Sequence, residues 1–194
     1  MRKTGGGRRL RGSTDSGPKS AASSSRTQSA AGVAPLAERA VMAERYTRLD
    51  IGVQDQASLA SAADALHDAV FDLENVFFDE VAGIFRLTVW REVPELARRE
   101  RVLLLLHRVR MPLVRSVLAF AAVKRAVVER SDPHVSGAYC LEEILYDSVL
   151  GRLRFRIMGP LAIELEVDHL MGSLKDVGDP TWDVPSIPTF GIGP

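Results

Sequence analysis

Four histidines (His67, His107, His134 and His169) and one cysteine, Cys140, are the residues best suited to acid–base, nucleophilic or metal chemistry. None of the histidines falls in a His-x-x-x-His, His-Glu-x-x-His or Cys/His spacing, so no zinc-ligand pattern is encoded locally. His67-Asp68 and Asp168-His169 are adjacent pairs. Neighbouring side chains point to opposite faces of a strand and diverge on a helix, so adjacency predicts no dyad. His67 reads as a histidine at a helix end, where a cation is favoured. A lone cysteine excludes an internal disulfide and a cysteine cluster, and Cys140 beside Tyr139 reads as a small core residue. No Gly-x-Ser-x-Gly elbow, phosphate-binding loop or dinucleotide fingerprint occurs, and Gly5-Gly6-Gly7 has no strand before it. The sequence predicts no catalytic residue, no metal site and no cofactor, and it favours a binding role over an enzymatic one.

Binding chemistry is concentrated elsewhere. Arg98, Arg99, Arg101, Arg108, Arg110 and Arg115 cluster in mid-chain, interleaved with Glu92, Glu95 and Glu100. A strand through Arg108 and Arg110 places both on one face, as a phosphate-binding stripe or as a solvated face. No exposed aromatic platform of the kind that grips single strands accompanies them. Near the C-terminus, Trp182 and Phe190 are set among Pro180, Pro185, Pro188 and Pro194. Such a segment is extended, and its apolar residues either clasp the body or dock on a partner. The candidate partner contacts are therefore Trp182, Phe190, Arg108 and Arg110.

The elements that must position these residues follow from composition and period. Residues 1–36 hold seven basic residues against Asp15, a net +6 that leaves −6 for the remainder of a formally neutral chain. Rich in Gly and Ser, this stretch buries too little apolar surface to offset an ordering cost of ~1–2 kcal/mol per residue. The reading is a disordered basic tail over residues 1–41, with Met42 as an alternative start. A single domain then covers residues 42–176, and a Pro-rich extended tail covers residues 177–194. No apolar run approaches the roughly 18–20 residues that a membrane-spanning helix needs. No apolar stretch follows the basic N-terminus either, which predicts a cytoplasmic protein without a secretory signal.

Within the domain, Leu59, Ala62, Ala63 and Leu66 share one helical face over residues 58–68, with Ser58 as N-cap. Alternation then takes over. Phe85, Leu87 and Val89 alternate with polar neighbours, residues 102–111 read as one apolar strand, and residues 113–128 read as two strands rather than a helix. Residues 141–146, 152–158 and 161–167 complete the sheet, the last two joined by a tight Gly159-Pro160 turn. The expected class is α+β: one short helix and an antiparallel, hairpin-built sheet of about six to eight strands.

Residues 73–87 also align without gaps on residues 141–155. In both copies a strand ends on an aromatic, Asp79 or Asp147 opens the turn, Gly83 or Gly151 takes the unusual backbone angle, and the return strand alternates apolar residues with Arg. The pattern predicts two similar hairpins in one curved sheet or in two facing sheets.

The opening Leu66-His67-Asp68, the Phe78-Asp79 and Gly turn, residues 141–147 and the alternating 161–167 strand together resemble small uncharacterised bacterial α+β domains. Some of those are grouped with the immunity proteins of toxin systems. The resemblance spans residues 58–175 and implies a compact protein-binding module without catalytic residues. A non-catalytic protein-binding module is thus the first functional expectation. The second is a nucleic-acid-associated protein using the basic tail and residues 98–115. Neither expectation involves a membrane, and the oligomeric state is left open.

Overall fold

The structure is a computed structural model that describes residues 45–103, 106–132 and 137–182; the side chains of residues 102, 103, 106 and 107 are not among those described. It corrects the α+β expectation. The described residues form twelve strands, ten of them in one antiparallel sheet, with a single α-helix of ten residues, so the fold is β-rich. The strands missing from the sequence reading are β1 (Asp50–Val53), β2 (Ala69–Phe71) and β12 (Gly172–Asp176). Three to five residues are too few to establish a period of two. The expected single strand over residues 102–111 is also corrected: β5 (Arg98–Leu103) and β6 (Leu106–Arg110) are the two arms of a hairpin that makes its own two-stranded sheet.

The helix α1 spans Gln56–Ala65 and buries Leu59 and Ala62, with Leu66 buried at its C-cap. Its N-cap is Asp55, not Ser58. The Asp55 carboxylate accepts from the Ser58 N–H at 2.7 Å, while Ser58 Oγ accepts from the Asp55 N–H at 3.1 Å. Ser58 is therefore the reciprocal third position of a capping box, which satisfies two N-terminal donors at once.

The remaining strands are β3 (Val76–Asp79), β4 (Ile84–Glu92), β7 (Leu113–Phe120), β8 (Val123–Arg130), β9 (Tyr139–Asp147), β10 (Arg152–Met158) and β11 (Leu161–Val167). Along the sheet they run β1-β12-β7-β4-β2-β9-β10-β11-β8, with β3 also paired to β4. The internal sequence match has a structural counterpart that is larger than a hairpin. The β3–β4 hairpin continues by pairing to β7, as the β9–β10 hairpin continues by pairing to β11. The fourth strand of each unit then crosses to the other unit: β8 adds to β11, and β12 adds to β7. The two crossings bond to each other, Ala121 N–H to Met171 O at 2.8 Å and Asp168 N–H to Ala122 O at 3.1 Å.

The turns repeat in detail. Asp79 Oδ1 accepts from the Ala82 N–H at 2.9 Å, and Asp147 Oδ1 accepts from the Leu150 N–H at 3.0 Å. Gly83 and Gly151 have φ of 62° and 61°. Their carbonyls accept from Val123 and Val167, which are themselves register partners between β8 and β11. Sheet curvature brings the halves face to face: Phe155 of β10 lies 5.7 Å from Phe85 of β4 and 6.3 Å from Phe120 of β7, centroid to centroid. These rings sit in one continuous core with Leu87, Leu118, Leu153 and Leu165.

Candidate functional site

The two units differ at one connection. Gly159 and Pro160 suffice to join β10 to β11, whereas the equivalent connection from β4 to β7 holds residues 93–112 and contains the β5–β6 ribbon. Pro94–Leu96 forms a short 3-10 turn at its root, and the Val93 N–H donates to Pro112 O at 3.0 Å. A small separate core of Val93, Leu96 and Val114, with Tyr46 and Trp182 against it, fixes this base.

Opposed residues of an antiparallel pair share a face. The register Arg98↔Arg110 and Glu100↔Arg108 gives one face of the ribbon; Arg99↔Val109 and Arg101↔His107 give the other. On the first face Trp182 stacks under two guanidinium groups, with Arg98 Cζ 4.7 Å and Arg110 Cζ 5.8 Å from its ring centroid. Arg110 Nη2 also donates to Trp182 O at 2.9 Å, and Arg110 lies 3.8 Å from Glu100. The chain reaches this position because Thr181 bridges to Leu113 through two 2.8 Å backbone bonds. Trp182 and Arg110 thus touch each other, Arg108 is exposed on the ribbon, and Phe190 lies outside the described residues. Arg99, Arg101 and Val109 are exposed on the second face, while Arg115 belongs to β7.

Beneath the ribbon is a buried polar cluster without a local motif. Asp176 accepts from Arg91 Nε at 2.9 Å, Arg91 Nη2 at 2.6 Å, Ser116 Oγ at 2.6 Å, Tyr46 Oη at 2.5 Å and the Leu49 N–H at 2.8 Å. Burial alone raises the pKa of a carboxyl group, but these donors hold Asp176 below the usual range. Burial and the neighbouring carboxylate push the Tyr46 phenol up, and the ion pair raises Arg91 against the effect of burial. With five donors on one carboxylate, the cluster leaves no lone pair directed at a substrate. It ties the two strands flanking the ribbon, β4 and β7, to β12 and to the segment before β1. Its sequence signal is a polar residue in an apolar phase: Arg91 continues Phe85, Leu87 and Val89, Ser116 lies between Val114 and Leu118, and Asp176 follows Leu174.

The His67-Asp68 pair behaves differently from expectation. His67 Nδ1 lies 3.0 Å from Asp68 Oδ2 because Asp68 has φ of 64°, a left-handed turn that brings the two side chains together. The pair opens on a cleft of 410 Å³ that Asp64, Glu142, Glu143 and Arg156 also line. Glu143 is bonded to Arg156 at 2.9 Å. Cys140 Sγ sits 3.8 Å from Asp68, and burial together with that carboxylate pushes its thiol up, away from the thiolate a nucleophile requires. The polar contact of the sulfur is thus to the aspartate of the pair. Among the described residues, no group of three or more His, Cys, Asp or Glu is placed to hold a metal ion. His169 lies outside this cleft, and His134 lies outside the described residues.

The chain matches no protein-family model, no curated protein and no solved structure.

Proposed function

We propose that this protein is a non-catalytic binding module whose contact element is the β5–β6 ribbon, and that its partner is a protein with an acidic surface. The observation that carries this reading is the asymmetry between the units. Two residues close one unit, so the ribbon in the other is not required to close the sheet. A long connection with structure of its own, where a tight turn suffices, is characteristic of a binding element. Its chemistry is that of a recognition surface. Arg98, Arg99, Arg101, Arg108 and Arg110 stand against Glu100, and Val109 is 56% exposed among them. Arginine forks suit carboxylates, and the exposed valine gives the ribbon an apolar contact. An isolated two-stranded ribbon is marginal in water, so its anchorage by Trp182 and the small core is what keeps the arginines in register. The resemblance to immunity-type domains likewise implies a protein as the partner.

The concentration of arginine favours a second reading, a nucleic-acid groove, which admits a two-stranded ribbon. One experiment separates the two. Immobilised full-length chain and an Arg99→Glu/Arg101→Glu/Arg108→Glu variant are exposed to native lysate with and without nuclease. The expected result is a protein retained by the wild type after nuclease treatment, lost from the triple variant and weakened by salt. Retention that disappears with nuclease and falls steeply with salt establishes the nucleic-acid reading instead. Equal retention by both chains contradicts the ribbon as contact element.

A further inference from the structure

We propose that the outer edge of β8 is the interface of a two-fold homodimer, in which two copies join their sheets strand to strand. β8 is the terminal strand of the ten-stranded order, and its ladder partner is β11. Eight residues make it a long edge, and every second residue of an edge strand directs its N–H and C=O away from the sheet. The register places Ala126 and Val128 opposite Leu165 and Ile163, which are buried, so both belong to the core face. Val128 is nevertheless 42% exposed, and among the described residues no strand pairs with the far side of β8. The other face carries Arg125, Val127 and Glu129, opposite Glu166, Glu164 and Ala162.

The occupant follows from the charge pattern. Arg125 and Glu129 are exposed and stand at equal distances on either side of Val127. An antiparallel second copy centred on Val127 sets Val127 against its own counterpart and Arg125 against Glu129 of the second copy, twice by symmetry. Ala126 then meets Val128 of the second copy on the core face, also twice, so the half-exposed valine gains a neighbour. A residue-centred two-fold keeps both cores on the same side of the joined sheet, and the contact is isologous and closed. Parallel in-register stacking sets Arg125 on Arg125 and Glu129 on Glu129, so the same charges resist fibre-like growth. The mismatched pairing in the antiparallel arrangement, Arg130 facing Lys124, also occurs twice and falls at the two rims. There a register shift takes Lys124 out of the ladder and Asp168 binds it at 2.5 Å.

The test is sedimentation of the full chain across a concentration series. The wild type is expected to dimerise. Arg125→Glu and Glu129→Arg should each weaken self-association about tenfold or more, since two favourable cross-strand pairs become two repulsive ones. The double variant Arg125→Glu/Glu129→Arg restores opposite charges and should recover the dimer. Hydrogen exchange provides a check without substitution: amides within residues 124–130 should gain protection as concentration rises. A monomer at every concentration overturns the proposal. So does a dimer that is indifferent to the single substitutions, or one that the double variant fails to recover.

Discussion

Asp176→Ala is expected to destabilise the fold by about 3–5 kcal/mol, the cost of removing one partner of a buried ion pair. Against a total stability of about 5–15 kcal/mol, this leaves the protein close to unfolding at ambient temperature. The effect is large because the carboxylate serves four residues at once. Its loss strands a guanidinium whose side chain is 6% exposed, and it leaves Ser116, Tyr46 and the Leu49 N–H without their acceptor. Urea unfolding of Asp176→Ala, Arg91→Ala and the double variant measures it. The double variant should lie well short of the sum of the singles, since the second change removes the charge that the first left unpaired. Acid dependence carries the same signature. Asp176 is held below its unfolded pKa of about 3.9, so its contribution is fully present above that pH and is lost as pH falls through the folded value. An Asp176→Asn variant should accordingly lose less stability than the wild type between pH 4 and pH 2, limits set at about the unfolded value and below it.

Gly151→Ala should be the second most damaging of these changes. A Cβ there meets Val167 O at 2.6 Å, a backbone atom that cannot swing aside, and φ of 61° disfavours any side chain. The left-handed backbone costs about 1–2 kcal/mol, and the forced contact adds about 1–3 kcal/mol. Gly83, its equivalent in the other unit, has the same φ but a 3.1 Å approach to Val123 O, so Gly83→Ala should show mainly the backbone part. Chemical denaturation of the two variants side by side should rank Gly151→Ala as clearly worse. Equal losses would mean that the two turns are held by φ alone and that close docking on the β8–β11 ladder contributes nothing.

The paired turns show what the sequence made legible. Asp79 with Gly83 and Asp147 with Gly151 are local chemistry, and local chemistry survives into the structure: the carboxylate bonds and positive φ values match. Longer-range consequences were not legible. The alignment of residues 73–87 on residues 141–155 announces a repeated hairpin, yet the exchange of β8 and β12 between units depends on where the crossings at Ala121-Ala122 and at residues 168–171 send the chain. The helix start moved from Ser58 to Asp55 because both residues suit a cap, and only geometry distinguishes the cap from its reciprocal partner. The apolar run at residues 102–106 reads as the first half of one strand, whereas β5 ends at Leu103 and β6 begins at Leu106, antiparallel to it. The Arg91–Asp176 pair was hidden by a separation of 85 residues, although each member stands in the inward phase of its strand. Regular backbone holds the side chains of neighbours such as His67 and Asp68 apart, and the φ of Asp68 departs from it.

The claim that the ribbon is where this protein meets its partner is tested most directly by placing a photoreactive benzophenone side chain at single exposed sites of the full chain in cells. Val109 on the ribbon is 56% exposed, and Leu145 on β9, a strand that pairs with β10 and β2 and not with the ribbon-bearing β4 or β7, is 44% exposed. The account predicts a discrete protein adduct on irradiation from position 109 and none from position 145. An adduct from position 145 with none from position 109 would contradict it.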